Sequence, residues 1–347
     1  MSKLPQYRWL DQQGEAFGAP GTEPRWTSSI KDAVGTAYSA SSRAWFTCSH
    51  GILNEIYHPT IDRAQVRDME FLVTDGETFA HEEKRDLVSA FEYINPEALG
   101  VRYVNRDPEG RYSLIKEILC DPHHSVVLMH VRLEGDADLL PRLKVYALLA
   151  PHLDGGGMGN SARAVDIAGH RVLLAWKNEW SLAMAASCDF KRVSCGFVGA
   201  SDGWHDVMDN FRMDFEFGSA TNGNVAVVGE LDLPSPSDGA YDFVLAIGLG
   251  EGNHTAAQKT MSALAMPFEQ HRARFIEQWQ RAANPDTPSG QVMPSLPNTT
   301  PCAADAAVIG LLVDRRRSEP VAWPSMLMKL WLYSVVRRRR SPQFSRR

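Results

Sequence analysis

A GxSxG pattern at residues 199–203 has the spacing of a nucleophile elbow, in which small neighbours let a strained turn present the serine, here Ser201. A serine esterase of the α/β-hydrolase class also needs helices that alternate with strands, and residues 30–250 lack that alternation. The pattern therefore favours an ordinary surface turn, and esterase activity through Ser201 ranks third among the functions considered.

A glycine-rich segment, Asp154-Gly155-Gly156-Gly157-Met158-Gly159-Asn160, could bring bare backbone amides close to a phosphate. Phosphate-binding loops of this kind run into a helix N-terminus, and no helix is predicted after this segment. A loop between two strands is the favoured interpretation, so the sequence predicts no cofactor.

Two histidine pairs, His123 with His124 and His50 with His58, have the residue type of metal ligands. Adjacent histidines on a strand point to opposite faces, and no acidic triad accompanies either pair. Ordinary polar or core histidines are favoured, and no metal site is predicted.

Carboxylates could hydrolyse glycosides, because one carboxylic acid protonates the leaving oxygen while a second carboxylate activates water or attacks, at a separation of about 5–10 Å. The chain has 42 acidic residues, and spacing alone selects no pair among them. The sequence therefore predicts no catalytic residue.

Short runs rich in Val, Ile, Phe, Tyr and Trp recur about every ten residues between turn residues, which is typical of an antiparallel β-sandwich. Turn chemistry predicts three hairpins. The first joins residues 69–74 to a strand from Thr78 through the turn Asp75-Gly76. The second joins residues 101–105 to residues 112–119 through residues 107–110. The third joins residues 211–217 to residues 225–228 through Asn222-Gly223.

Helical spacing appears late, from His254 to Ala283, with a break at Pro267 that predicts two helices. Beyond Asn284 the composition changes to Pro, Ser and Thr, which is typical of a linker or an unstructured stretch. We therefore expect the ordered domain to end near Ala283.

Charge is distributed unevenly along the chain, whose net charge is -6. Residues 301–347 contain ten Lys and Arg against three acidic residues, while residues 1–300 contain 26 basic and 39 acidic residues. An acidic main body repels phosphate backbones, so no nucleic-acid partner is predicted. Residues 321–336 are apolar but too short for a bilayer, and they contain Pro324 and Lys329, so no membrane partner is predicted either.

Five widely spaced cysteines predict neither a disulfide framework nor a zinc site, and we expect reduced, mostly buried thiols. The first residues lack the apolar core of a secretory signal, which predicts a cytoplasmic protein.

Several long blocks of this sequence resemble one family. They are residues 19–21, 24–29, 31–37, 42–47, 51–59, 62–76, 110–112, 116–117, 121–122, 150–153, 200–206 and 223–226. In type and order they are similar to the amino-terminal domain of the bacterial glucoamylases and glucodextranases, the family-15 glycoside hydrolases. The resemblance covers roughly residues 19–283.

The resemblance implies a galactose-mutarotase-like antiparallel β-sandwich, joined by a linker helix to an (α/α)6 barrel that carries both catalytic glutamates. The implied organisation is an extension at 1–18, the sandwich at 19–253, linker helices at 254–283 and a Pro-rich, basic tail at 284–347. No barrel signature follows Ala283, so we expect a reading-frame change or gene truncation near the linker.

The expected function is thus the non-catalytic amino-terminal domain of an exo-acting α-glucan hydrolase, which meets its glucan or oligosaccharide through the barrel and could self-associate through the exposed barrel-facing surface. The alternative is a free-standing carbohydrate-binding or partner-binding module, with aromatic rings stacked on sugars. Core packing is the favoured interpretation of Trp26, Trp45 and Trp204. The candidate residues for carbohydrate or barrel contact are Trp26, Trp45, Tyr57, Asp62, Arg67, Asp68 and Trp204.

Overall fold

Two antiparallel sheets make up most of the computed structural model, which describes residues 7–26 and 30–283. The strands are β1 (Arg8–Trp9), β2 (Ala33–Thr36), β3 (Trp45–Ser49), β4 (Ile52–Tyr57), β5 (Ala64–Thr74), β6 (Ala80–Glu82), β7 (Val88–Asn95), β8 (Ala98–Arg106), β9 (Tyr112–Cys120), β10 (Val126–Gly135), β11 (Lys144–Pro151), β12 (Asn160–Ile167), β13 (His170–Lys177), β14 (Trp180–Ala186), β15 (Phe190–Phe197), β16 (Ser219–Gly223), β17 (Val225–Leu231) and β18 (Ala240–Glu251). The helices are α1 (Glu83–Asp86), α2 (Gly203–Asn210), α3 (Asn253–Leu264) and α4 (Phe268–Ala283), with 3₁₀ turns at Leu140–Arg142 and Leu153–Gly155.

One sheet has ten strands in the order β1-β12-β13-β14-β18-β10-β9-β8-β7, with β16 also paired to β12. The other has eight strands in the order β15-β17-β11-β5-β4-β3-β2, with β6 also paired to β5. The predicted antiparallel sandwich is therefore confirmed.

The core lies between the two sheets because alternate residues of each strand point inward. On β5 these residues are Met69, Phe71 and Val73, all fully buried. The ring of Phe71 meets that of Phe243, on β18 of the other sheet, edge to face with 5.8 Å between centroids. Burying one such ring stabilises the fold by about 1.5–3 kcal/mol.

Two of the predicted hairpins are present. Strand β5 returns through Asp75-Gly76 to β6, and Gly76 has the positive φ, +84°, that its turn requires. The return strand begins at Ala80 rather than Thr78, because the Asp75 carboxylate accepts hydrogen bonds from the backbone of Glu77, Thr78 and Phe79. Strands β8 and β9 form the second hairpin as predicted.

The prediction of the third hairpin is wrong. Residues 211–216 form no strand, because the Asp206 carboxylate on α2 binds the backbone N–H groups of Asp214 and Phe215. Asn222 does adopt a positive φ of 60°, but β16 pairs with β12 in the ten-stranded sheet, whereas β17 lies in the eight-stranded sheet. The turn therefore carries the chain from one sheet to the other.

Helices α3 and α4 lie on either side of Pro267, which supports the expected break. Small residues of α3, Ala256 and Ala257, pack on the outer face of the ten-stranded sheet, where Thr260 Oγ1 donates to the Ala183 carbonyl at 3.1 Å. Helix α4 buries Phe268, Phe275 and Trp279 at helical spacing.

Cys48, Cys120 and Cys195 are buried, and the Cys120 thiol donates to the Ala44 carbonyl at 3.3 Å. Within residues 7–26 and 30–283, no helix has the length and apolar character needed to cross a membrane. The predicted tail, with Cys302 and the apolar run at 321–336, lies outside the described residues.

Candidate functional site

Four segments meet at one end of the sandwich, which we call the loop end: residues 24–26, 58–63, 152–159 and 177–180. Buried Gln65 joins two of them, since its Nε2 donates to the His58 carbonyl at 2.6 Å and its Oε1 accepts from the Asp154 N–H at 2.9 Å. The loop end is therefore positioned by the first residues of β5.

Trp26 and His152 form an aromatic contact there, with ring centroids 4.6 Å apart and planes at 72°. The imidazole is fully buried, and neither ring nitrogen has a hydrogen-bond partner among the described residues. The indole is 47% exposed. One ring thus supports another that faces solvent.

Burial lowers the pKa of His152 to about 4, helped by the nearby charges of Arg67 and Lys177. The imidazole is neutral at pH 7, with one N–H donor and one acceptor nitrogen. Gly157 lies so close that a Cβ atom there would approach His152 Nε2 to 2.6 Å and Pro24 Cβ to 2.4 Å. The glycine-rich segment is thus an inter-strand loop, as predicted, and its glycine allows the backbone to pack on the histidine.

Asp154 and Asn178 face each other across two neighbouring turns, with Asn178 Nδ2 donating to Asp154 Oδ2 at 3.0 Å. Both residues have a φ of 53°, which is costly for residues other than glycine. The Arg63 side chain lies 4.0 Å from the Asp154 carboxylate and 5.2 Å from the ring centroid of Trp180. The Trp180 Nε1 group is buried without a hydrogen-bond partner among the described residues.

Three of the predicted candidates lie at or beside the loop end. Trp26 and the exposed Asp62 belong to it. Arg67 borders it: its Nη1 donates to the Arg25 carbonyl at 3.2 Å, and its Nη2 lies 3.0 Å from Asp68 Oδ2. Asp68 is buried and also pairs with Lys84 at 3.3 Å.

Trp45 and Tyr57 are opposite each other on β3 and β4. Trp45 is buried, in agreement with core-like packing, and the Tyr57 hydroxyl donates to Glu55 at 2.6 Å. Lys31 and Thr47 also bind that Glu55 carboxylate. These contacts leave both aromatic residues largely covered.

Trp204, on α2, is separate from the other candidates. Its Nε1 donates to Glu82 at 2.7 Å, and the Arg85 guanidinium lies 5.3 Å from its ring centroid. Next to this group, burial and the neighbouring Glu82 and Asp68 raise the pKa of Glu70 to about 8. Glu70 is thus a mostly protonated, buried carboxyl at pH 7.

Ser201 is fully buried, which excludes the exposed position a nucleophile needs. Its Oγ donates to the Phe17 carbonyl at 2.6 Å and accepts from the Phe197 N–H at 3.0 Å. The next residue, Asp202, caps α2 by accepting from the His205 N–H. The GxSxG pattern is thus a strand-to-helix turn without an activated serine.

The histidine pairs are dispersed. His123 and His124 are exposed in one turn, with both backbone N–H groups bound to Asp121, while His58 is buried and bonded to the Arg43 carbonyl. Among the described residues, no three His, Cys, Asp or Glu side chains form a group suited to a metal.

Sequence reasoning missed His152, Asp154 and Asn178 as members of a site. The available signals were the glycine-rich segment, which here serves close packing, and Asn178-Glu179, a turn between two apolar strands.

The chain matches the family model described as glucodextranase, domain N, over residues 16–283. A glucoamylase from Clostridium sp. (strain G0005) is 29% identical over 269 residues, which are 78% of this chain and 38% of that protein. A bacterial glucoamylase, solved in complex with acarbose, has a TM-score of 0.76 at 28% identity, with 80% of this chain and 40% of that chain covered.

The chain thus spans about two fifths of the length of these relatives. The family match includes every strand of both sheets except β1, together with both C-terminal helices, so the resemblance read from the sequence is confirmed. The chain belongs to the glucodextranase domain N family.

Proposed function

We propose that this chain acts as the β-sandwich domain of an exo-acting α-glucan hydrolase of the glucoamylase type and supplies no catalytic carboxylate itself. The observation that carries the proposal is the extent of the match: the described sandwich and helices correspond to about two fifths of each relative. In this proposal, the glucan is cleaved by a separate catalytic domain that packs beside the sandwich.

The carboxylates on β4 and β5 support the non-catalytic role. Glu55 is bound by Lys31, Thr47 and Tyr57, and Asp68 is paired with Arg67 and Lys84. Glu70 is buried. A glycosidase needs an accessible acid and an accessible base on either side of a sugar, and none of these three groups meets that need.

Glucose release tests the proposal. The purified full chain is incubated with maltose, isomaltose, starch and dextran, and we expect no more glucose than in a buffer blank. Release that persists after removal of host glucosidases would contradict the non-catalytic role. Glu70→Gln and the exposed control Glu92→Gln would then show whether a β5 carboxyl is responsible.

Complementation tests the domain role. The remainder of the Clostridium glucoamylase, expressed without its own matching region, is co-expressed with this chain. We expect co-purification and recovery of part of the glucoamylase activity, with that enzyme's own domain as the positive control. Failure to associate, while the positive control succeeds, would overturn the proposal.

A free-standing carbohydrate-binding module is the second candidate, favoured by the exposure of Trp26. It predicts glucan affinity without any association with a catalytic domain. We also propose a cytoplasmic location, supported by the free thiols of Cys48, Cys188 and Cys195, and self-association through exposed apolar side chains such as Phe17 and Val88. Light scattering at several concentrations tests the self-association, and a strictly monomeric chain would contradict it.

A further inference from the structure

We propose that the loop end is a saccharide subsite, in which one glucose ring of an α-linked oligosaccharide stacks on Trp26 and hydrogen-bonds to Asp154, Asn178 and Arg63. The choice of an α-linked glucose chain rests on the proposed function. The location of the subsite rests on the contacts described for the loop end.

Trp26 provides the apolar surface. Trp9, at 59%, and Trp26, at 47%, are the exposed tryptophans among the described residues, but the Arg163 guanidinium lies 3.5 Å from the ring centroid of Trp9 and occupies one face of that ring. Trp26 instead contacts the His152 ring edge to face and leaves 47% of its surface to solvent. A flat, partly exposed indole of this kind suits the C–H face of a pyranose.

His152 is the second, independent observation. A buried polar atom without a partner lowers stability by about 1–3 kcal/mol, so an apolar side chain of similar size would suit a purely structural position better. The imidazole lies between Trp26, Pro24 and Gly157. In the free chain the Gly157 backbone packs on the imidazole and seals it from solvent, so the proposed complex requires this loop to move aside and let a sugar hydroxyl reach the unpartnered nitrogens.

Asp154, Asn178 and Arg63 supply planar acceptors and donors at the same loop end, where Asn178 and Arg63 both approach the Asp154 carboxylate. Asp154 follows His152 by two residues, and both bind Gln65. The Gln65 side-chain Oε1 accepts from the Asp154 N–H, and its backbone carbonyl accepts from the His152 N–H. Arg63 and Arg67 have acidic neighbours, Asp154 and Asp68, while Lys177 Nζ donates to the Gly156 carbonyl at 3.3 Å. The four segments of the loop end together contain three basic and three acidic residues, and this balance favours a neutral polyhydroxyl ligand over a phosphate.

Calorimetric titration of the full chain with maltotetraose tests the subsite, with inorganic phosphate as the anionic probe. We expect the wild-type chain to bind maltotetraose. Trp26→Ala should lower the affinity by about tenfold or more, because it removes the aromatic surface on which the sugar stacks. Trp9→Ala, which removes the other exposed tryptophan, serves as the matched control and should bind as the wild type does.

Asn178→Gly provides a second variant, because glycine fits the positive φ while it removes the amide. We expect weaker maltotetraose binding with unchanged thermal unfolding. Absence of maltotetraose binding, equal binding by Trp26→Ala, or binding of phosphate alone would overturn the subsite. If Trp26→Ala impairs only complementation of the catalytic domain, the loop end is a domain contact and the subsite is wrong, while the proposed domain role stands.

Discussion

Lys116 and Glu83 form an ion pair between the two sheets, with both side chains fully buried. Lys116 belongs to β9 of the ten-stranded sheet, and its Nζ also donates to the Gly51 carbonyl at 2.7 Å in the β3–β4 turn of the other sheet. Glu83 accepts in addition from the Phe71 N–H and from Asn105 Nδ2. Three donors thus bind the carboxylate, two at Oε1 and one at Oε2.

Lys116→Met should lower the free energy of unfolding by about 3–5 kcal/mol, because it leaves the Glu83 carboxylate buried and without its cation. Urea unfolding measures the change. The double variant Lys116→Met/Glu83→Gln should recover part of the loss. Arg102→Met, which breaks an exposed pair with Glu92, is the control and should cost less than about 1 kcal/mol. Equal effects of the two single variants would contradict the structural role of the buried pair.

Glu70 should make stability fall as pH rises. Its pKa in the folded chain, about 8, is above its ordinary value of 4.5, so the folded state holds a proton that the unfolded state releases between these values. The stabilisation is complete below the unfolded pKa and is lost as pH rises through the folded one. The urea midpoint from pH 4.5 to 9 should therefore decline less in Glu70→Gln than in the wild type. A parallel decline in both proteins would contradict the assignment, and Glu92→Gln serves as the exposed control.

Ser201→Ala should lower the free energy of unfolding by about 1–3 kcal/mol, since the buried Phe197 N–H loses its acceptor. Neither the wild type nor the variant should hydrolyse p-nitrophenyl acetate above the blank. Ser41→Ala, at an exposed position, should leave the unfolding midpoint unchanged. Ester hydrolysis that disappears in Ser201→Ala would contradict the structural role.

Gly76→Val should destabilise the β5–β6 hairpin by about 1 kcal/mol or more, because a β-branched residue resists a φ of +84°. Gly76→Asn is the matched variant and should be better tolerated, since asparagine adopts this region more readily. Thermal unfolding of the two variants checks the order, and equal midpoints would show that the turn conformation is not the cause.

His152→Leu should leave stability unchanged or raise it by up to about 1 kcal/mol, because leucine removes two unpartnered nitrogens at similar volume. A loss as large as that of Lys116→Met would show that the imidazole is bonded in solution. Maltotetraose affinity of the same variant connects this result to the saccharide subsite.

Local sequence was enough to predict the two hairpins in which the turn residues and the strand pairing agree, at Asp75-Gly76 and at residues 107–110. Asn222-Gly223 gave an equally strong turn signal, yet the partners of β16 and β17 are distant strands. A turn signal reports backbone conformation, and the choice of partner is set by packing over the whole sandwich.

The buried charged residues also differ in whether the sequence pattern predicts their burial. Lys116 falls in the inward alternation of Tyr112, Leu114 and Ile118, so its position in the core was readable from period-two spacing. Glu83 lies on a short helix, where no such pattern applies. The loop end joins segments more than a hundred residues apart, and Trp26 was found by residue type whereas His152 needed the three-dimensional contact.

The position of β18 also determines when the ten-stranded sheet can be completed during synthesis. In the described chain it is the strand that links β14 to β10, so the two halves of the ten-stranded sheet meet across residues 240–251. At roughly 5–20 residues per second, a ribosome exposes β7–β10 and β12–β14 for several seconds before their shared neighbour emerges. During that interval both halves offer unpaired strand edges, and chaperones that protect such edges are the factors on which the yield of folded protein should depend.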